Sequence, residues 1–305
     1  MKFLPTAGSA LLVVALPLTA AASTLVLKNA FIEKFKNRVT IDSSFRIDHV
    51  LPKPHPIGSG GDDGDLHMSG SGDTIGLPVV AEIVNAGAAS QLALTQKAEG
   101  DDGKTVKLSG AWRVWFEHPP GNGGSQTQGE AVPPSDNSNP PHVFEVHPVT
   151  SFDGTSILKS FDQIPKYMAY DAATAFGEYE KLTATITANA SATAIDSQKA
   201  GHNYAEFIIE LGGKPAAADD GGLLVLAQVF QDEETTVTSA PRRMVFTAGT
   251  SAADAVKSGK KGDRFHVLGI PRVNLERISF ATHQNPGKTF TVPLPYEMVI
   301  VAVLP

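Results

Sequence analysis

No cysteine occurs among the 305 residues. That excludes disulfides, thiolate metal sites, cysteine nucleophiles and a lipid-modified N-terminal cysteine, so any metal must rest on histidine and carboxylate ligands. A chain without disulfides is held by its core alone. Dense basic clusters are also scarce. The formal charge is −7, and the tightest basic group, Lys257, Lys260, Lys261 and Arg264, reads as a solvated turn. Nucleic acid is therefore a disfavoured partner. Aromatic residues make up only 7%, too few for an extended stacking surface. No G-x-S-x-G and no P-loop spacing is present. Past the N-terminus, no apolar run is long enough to span a bilayer.

What is present starts with "MKFLPTAGSALLVVALPLTAAAS". Lys2 gives a positive start, Ala10 to Leu18 a short apolar run, and Ala20 to Ala22 a small-residue cleavage site. This is the pattern of a secretory signal peptide, with cutting expected after Ala22 and a periplasmic or extracellular destination.

Leu25 to Lys36 reads as a short helix or a strand. From Arg38 onward, period-two alternation dominates. "RVTIDSSFRIDHV" and "KTVKLSG" alternate, and "AWRVWFEH" sends Trp112, Val114 and Phe116 one way and Arg113, Trp115 and Glu117 the other. Short alternating segments broken by Gly and Pro predict a β-barrel or sandwich. Pro52–Gly64 and Pro119–Pro141 are polar loops rich in Pro and Gly. Residues 151–182 have helical spacing, and Ser251 with Asp254 resembles a capping box.

Two stretches share one pattern. "GKTVKLSGAWRV" (103–114) and "GDRFHVLGIPRV" (262–273) both fit G-x-x-Φ-x-Φ-x-G-x-x-R-V, where Φ is apolar. Arg113 and Arg272 fall in register. "NRVTIDSSFRI" is matched to "EKLTATITANA", and "VVAEIVNAG" to "NYAEFIIELGG", which pairs Glu82 with Glu206. A duplication is inferred, and the element order resembles a five-stranded OB-type barrel. The expected organisation is a signal peptide (1–22), a first OB-like barrel (23–152), a helical connector (153–181) and a second OB-like barrel (182–305). The fold class is mainly β, with two tandem OB-like β-barrels and a few short helices.

The first copy also resembles a module of uncharacterised secreted bacterial proteins. That module carries, in order, a D-x-H strand, an A/V-E-I strand, a G-x-W strand and an E-I/V-H-P-V strand. Here they are Asp65-Leu66-His67, Ala81-Glu82-Ile83, Gly110-Ala111-Trp112 and Glu145-Val146-His147-Pro148-Val149. The resemblance covers residues 38–152 and implies a fold but no activity.

Strand residues two apart share a face. Asp65 and His67 project together, and so do Glu145 and His147, opposite His142, Phe144 and Val146. Glu82 joins them if Ala81 and Ile83 face a core. Asp65, His67 and His147 are candidate ligands for Zn²⁺ or Mn²⁺, with Glu82 and Glu145 as candidate catalytic bases. The competing reading is a set of hydrogen-bonded pins that fix strand register. The second copy shows no counterpart of the Asp65/His67 or Glu145/His147 pairs, which favours a special role in the first. Trp115 beside Arg113 is a candidate surface platform for a ligand such as a glycan. The leading expectation is an exported binding or structural protein with a protein or glycan partner. The alternatives are a metal-dependent hydrolase using the Asp/His/Glu cluster and a self-assembling surface or fibre protein.

Overall fold

The computed structural model describes residues 22–58, 63–121, 123–161, 164 and 167–305. The expected signal peptide lies outside them, apart from Ala22. Leu25 to Lys36 turns out to be both strand and helix: β1 (Ser23–Lys28) runs directly into α1 (Asn29–Phe35), which buries Phe31, Ile32 and Phe35.

The alternating segments then build the first barrel. β2 (Thr40–Val50) pairs antiparallel with β3 (Leu66–Gly72) and with β5 (Thr105–His118). β3 pairs antiparallel with β4 (Pro78–Ile83), and β5 with β7 (His142–Phe152). β4 and β7 run parallel and close the barrel. Helix α2 (Leu92–Glu99) sits between the third and fourth strands, as in an OB barrel. The long polar loop is anchored: it contributes β6 (Ser125–Thr127), which lies parallel to β1.

The linking region holds β8 (Thr155–Ser156), a 3-10 turn at Leu158–Phe161, β9 (Tyr170–Asp171) and α3 (Ala172–Tyr179). Asp171 caps α3 by accepting from the Thr174 N–H. Next come β10 (Thr183–Ala188) and β11 (Ala192–Ser197). The second barrel uses β12 (Ala205–Leu211), β14 (Leu223–Phe230), β15 (Arg242–Phe246), β16 (Arg264–Val273) and β18 (Tyr296–Val303). Its connectivity repeats the first: β12 pairs with β14 and β16, β14 with β15, β16 with β18, and β15 and β18 close in parallel. β13 (Ala216–Ala217) extends β14, and α4 (Ser251–Val256) again lies between the third and fourth strands. The cap of α4 is Thr250, whose hydroxyl accepts from the Ala253 N–H, and not Ser251. α5 (Leu275–Gln284) and β17 (Thr289–Pro293) complete the chain.

Among the described residues the protein is thus mainly β, with two closed five-stranded barrels and five short helices. No helix among the described residues is long and apolar enough to cross a membrane.

Two of the three proposed repeat matches are corrected. β10 and β11 do not belong to the second barrel. They form a third sheet in the order β17-β10-β11-β1-β6. Glu206 lies on the first strand of its barrel and Glu82 on the third strand of the other, so they do not correspond. The glycine-punctuated match holds: β5 and β16 are both fourth strands. Both lead-in glycines are left-handed, Gly103 at φ 76° and Gly262 at φ 88°. Both inner glycines sit at ladder irregularities where the neighbouring strand comes close. A Cβ on Gly110 would lie 2.6 Å from the Pro148 carbonyl oxygen, and one on Gly269 would lie 3.0 Å from that of Val299.

Candidate functional site

Alternation along β5 decides what the barrels bury between them. Trp112, Val114 and Phe116 pack with Phe144 and Val146 in the main core. The opposite face carries Ala111, Arg113 and Trp115, and it is covered as well. Ala111, Tyr204, Leu268, Ile270 and Val299 form a separate apolar cluster contributed by both barrels. Trp115 is 1% exposed and packs edge-on against Tyr179. Arg113 is 0% exposed. The expected surface platform of Arg113 and Trp115 therefore does not exist, because the outer face of this barrel is closed by α3 and the second barrel.

Strand register brings the acid and histidine residues together. His67 on β3 stands directly opposite Glu82 on β4, and Arg113 on β5 directly opposite Glu145 on β7. The parallel β4–β7 closure aligns Val80 with Glu145 and so joins the two pairs. Asp65 forms an ion pair with His67 through Oδ2. Glu82 lies 3.7 Å from His67 Nε2 and 2.8 Å from His147 Nδ1, the latter an ion-pair contact outside hydrogen-bond alignment. Glu145 Oε2 pairs with Arg113 and is 3.5 Å from His147 Nδ1. All five predicted residues thus belong to one buried cluster, with Glu82 as the bridge between its two halves.

Four partners escaped the sequence reading. His55 Nδ1 is 3.0 Å from Asp65 Oδ1. Asp63 Oδ2 is 3.3 Å from His147 Nε2, and the Tyr204 hydroxyl is 2.8 Å from the same nitrogen. His142 Nε2 is 3.1 Å from Glu145 Oε1. His142 was placed on the opposite face. The β5–β7 ladder is irregular between Val114 and His118, so simple alternation fails there. His118 belongs with His142, its ring stacked at 5.3 Å between centroids.

Electrostatics follow from the burial. Burial disfavours the His147 cation, but the charge of Glu82 and the contacts with Asp63 and Glu145 outweigh it and hold its pKa well above the usual value. His67 behaves alike: burial opposes, and Glu82 and Asp65 raise it to about 9. Burial raises Asp63 to about 6 against the pull of His147. Burial also works against ionised Glu145, yet Arg113 and His142 hold its pKa well below the usual carboxylate value.

Arg113 and Arg272 tie the barrels reciprocally. Arg113 Nε donates to the Pro271 carbonyl at 3.0 Å, and Arg272 Nη1 donates to the Trp112 carbonyl at 3.0 Å. Each arginine thus bonds to the residue just before the other. Arg272 also donates to the carbonyls of Val39 and Arg38 and lies 3.5 Å over the Trp112 ring. It pairs with Glu297, its register partner on β18. Glu297 is therefore the counterpart of Glu145 alone, and the Glu145/His147 pair itself has none in the second barrel. Val299 stands where the first barrel has His147.

Comparison with protein-family models and with curated proteins finds no match.

Proposed function

We propose that this is an exported binding or structural protein in which the acid–histidine–arginine cluster locks two OB-like barrels together. One observation carries the reading: every carboxylate oxygen of Glu145 already faces a protein cation or imidazole, and Glu145 and His147 are 2% and 1% exposed. A general base needs a free lone pair within reach of its substrate. Here both halves of the supposed base are engaged in holding strands and barrels. Export rests on the N-terminal pattern and on the likeness of residues 38–152 to secreted modules.

The hydrolase alternative makes the opposite demand, so one experiment separates them. Urea unfolding and turnover of chromogenic ester and phosphoester substrates are measured on the wild type, Glu145→Gln and Tyr204→Phe. The lock reading expects no turnover by any of the three. It also expects both variants to lose stability, Tyr204→Phe by ~1 kcal/mol for one buried hydrogen bond. Wild-type turnover that disappears in a folded Glu145→Gln protein overturns the lock and establishes the hydrolase.

A further inference from the structure

We propose that His55, Asp65 and His67 form a divalent-cation site, with Zn²⁺ as its ion, opening onto the cavity beside His55. It occupies the Asp65/His67 end of the cluster and does not depend on the contacts that cross between the barrels, which are made by Arg113, Arg272, His147 and Tyr204. The sequence pointed to Asp65, His67 and His147. The structure gathers Asp65 and His67 with His55 instead, one ligand atom from each lying within 4.8 Å of the others. His147 is turned toward Glu82, Glu145, Asp63 and Tyr204.

The backbone holds these donors in place. His55 N–H donates to the Asp65 carbonyl and Leu51 N–H to that of His67, each at 2.9 Å. The loop after β2 is thereby zipped onto the start of β3. Two ligand atoms on one tetrahedral Zn²⁺, at roughly 2.0–2.1 Å each, stand about 3.3 Å apart. His55 Nδ1 and Asp65 Oδ1 are 3.0 Å apart, and His67 Nε2 touches the other oxygen of Asp65. Two imidazoles and a carboxylate are the donor set of an open zinc site.

Charge gives a second, independent argument. Asp63, Asp65 and Glu82 are 1%, 5% and 5% exposed. Among the described residues no lysine or arginine pairs with any of them, whereas the buried Glu145 and Glu297 each have a guanidinium. Asp63 Oδ1 has no hydrogen-bond partner there. The only basic groups that face these three buried carboxylates among the described residues are imidazoles, and a dication beside Asp65 offsets more of their charge than an imidazole can. The other acid–histidine group, Glu82, His142 and Glu145, already has Arg113 on Glu145, which repels a cation.

Access completes the case. A cavity of about 390 Å³ is lined by His55, Ile57, Gly64, Asn85, Gly87 and Ala88. The His55 side chain, 40% exposed, lines it. An ion held there keeps a coordination position open to water or to a small anionic ligand. Glu82 lies 3.7 Å from the same His67 Nε2 and adds a further carboxylate on the ion's side of that ring.

The test is calorimetric titration of the chelator-washed protein with ZnCl2, with Co²⁺ absorption reporting ligand geometry. The expected result is one ion per chain, weakened about tenfold or more in His55→Ala and in Asp65→Asn. Tyr204→Phe, which perturbs only the deeper cluster, should bind zinc like the wild type. His55 is half-exposed, so its variant keeps the fold, checked by circular dichroism. Absence of stoichiometric binding by the wild type, or undiminished binding by folded His55→Ala, overturns the site. So does loss of zinc in folded Tyr204→Phe, and none of these outcomes touches the lock.

Discussion

Replacing Arg113 by Met leaves Glu145 buried at the barrel interface without its guanidinium. The Pro271 carbonyl loses its donor, and Glu117, 2.9 Å from Arg113 and 19% exposed, loses a partner that solvent partly replaces. Removing one member of a buried ion pair costs ~3–5 kcal/mol. His142 and His147 remain beside Glu145 and move the expectation toward the lower end, ~3 kcal/mol. For a chain of this size each kcal/mol lowers Tm by about 2–4 °C, so a drop of roughly 6–12 °C is expected. The decisive measurement is the double-mutant cycle with Glu145→Met, followed by urea unfolding in far-UV and near-UV circular dichroism. Coincident curves show that the barrels unfold together and license the analysis. The double variant should cost about as much as either single one, with a coupling of ~2 kcal/mol or more. In the second barrel Glu297 keeps Arg243 when Arg272 is removed. The Arg272/Glu297 coupling is therefore smaller, and most of the loss there comes from the carbonyls of Arg38, Val39 and Trp112. A single-variant cost under ~1 kcal/mol, or additive costs in the first cycle, refutes the view that this pair tightly holds Arg113 for its bond to the second barrel.

Two further outcomes follow from the same geometry. Glu145 has a folded pKa well below its unfolded value of about 4.3, so its contribution is present above that pH and is lost as pH falls toward the folded value. Tm measured against pH should therefore fall less steeply below about pH 4.5 in Glu145→Gln than in the wild type, and an unchanged acid slope contradicts the assignment. Gly110→Ala puts a Cβ 2.4 Å from Val146 Cγ1 and 2.6 Å from the Pro148 oxygen, so it should lose ~2 kcal/mol in urea, more than Gly269→Ala with its nearest contact at 3.0 Å.

The strands and the two barrels were legible because alternation is local, and a period of two survives whatever the strand later pairs with. The convergence of Asp65/His67 with Glu145/His147 was legible for the same reason: each pair shares a strand face. What alternation cannot encode is which face is covered. Arg113 and Trp115 read as an exposed side because their neighbours Trp112 and Val114 read as core. Only the docking of a second barrel, about 160 residues away along the chain, makes both faces buried. His55 was missed because it lies in an irregular segment where no period marks a direction, and Tyr204 because it precedes β12 and meets the cluster only where the two barrels touch. β10 and β11 were misplaced because a strand's pattern fits any sheet with one covered face, and their partners β1 and β17 come from opposite ends of the chain.

The comparison between the barrels separates what the fold requires from what has been added to it. Both fourth strands carry a fully buried arginine, both fifth strands answer with a glutamate in register, and each arginine reaches across to the other barrel's backbone. That much recurs, so it belongs to the docking of one barrel on the other. The imidazoles do not recur. Val299 replaces His147 and fits the same buried face with no charge to satisfy, which shows that a barrel of this shape closes without histidine there. His147, His67 and the three carboxylates that lack a guanidinium are thus an addition specific to the first barrel. They carry the desolvation cost of buried charge where the second barrel has an apolar residue. That excess divides by place: His147, against Asp63 and Tyr204, belongs to the contact between the barrels, and His67, against Asp65, to the proposed cation site.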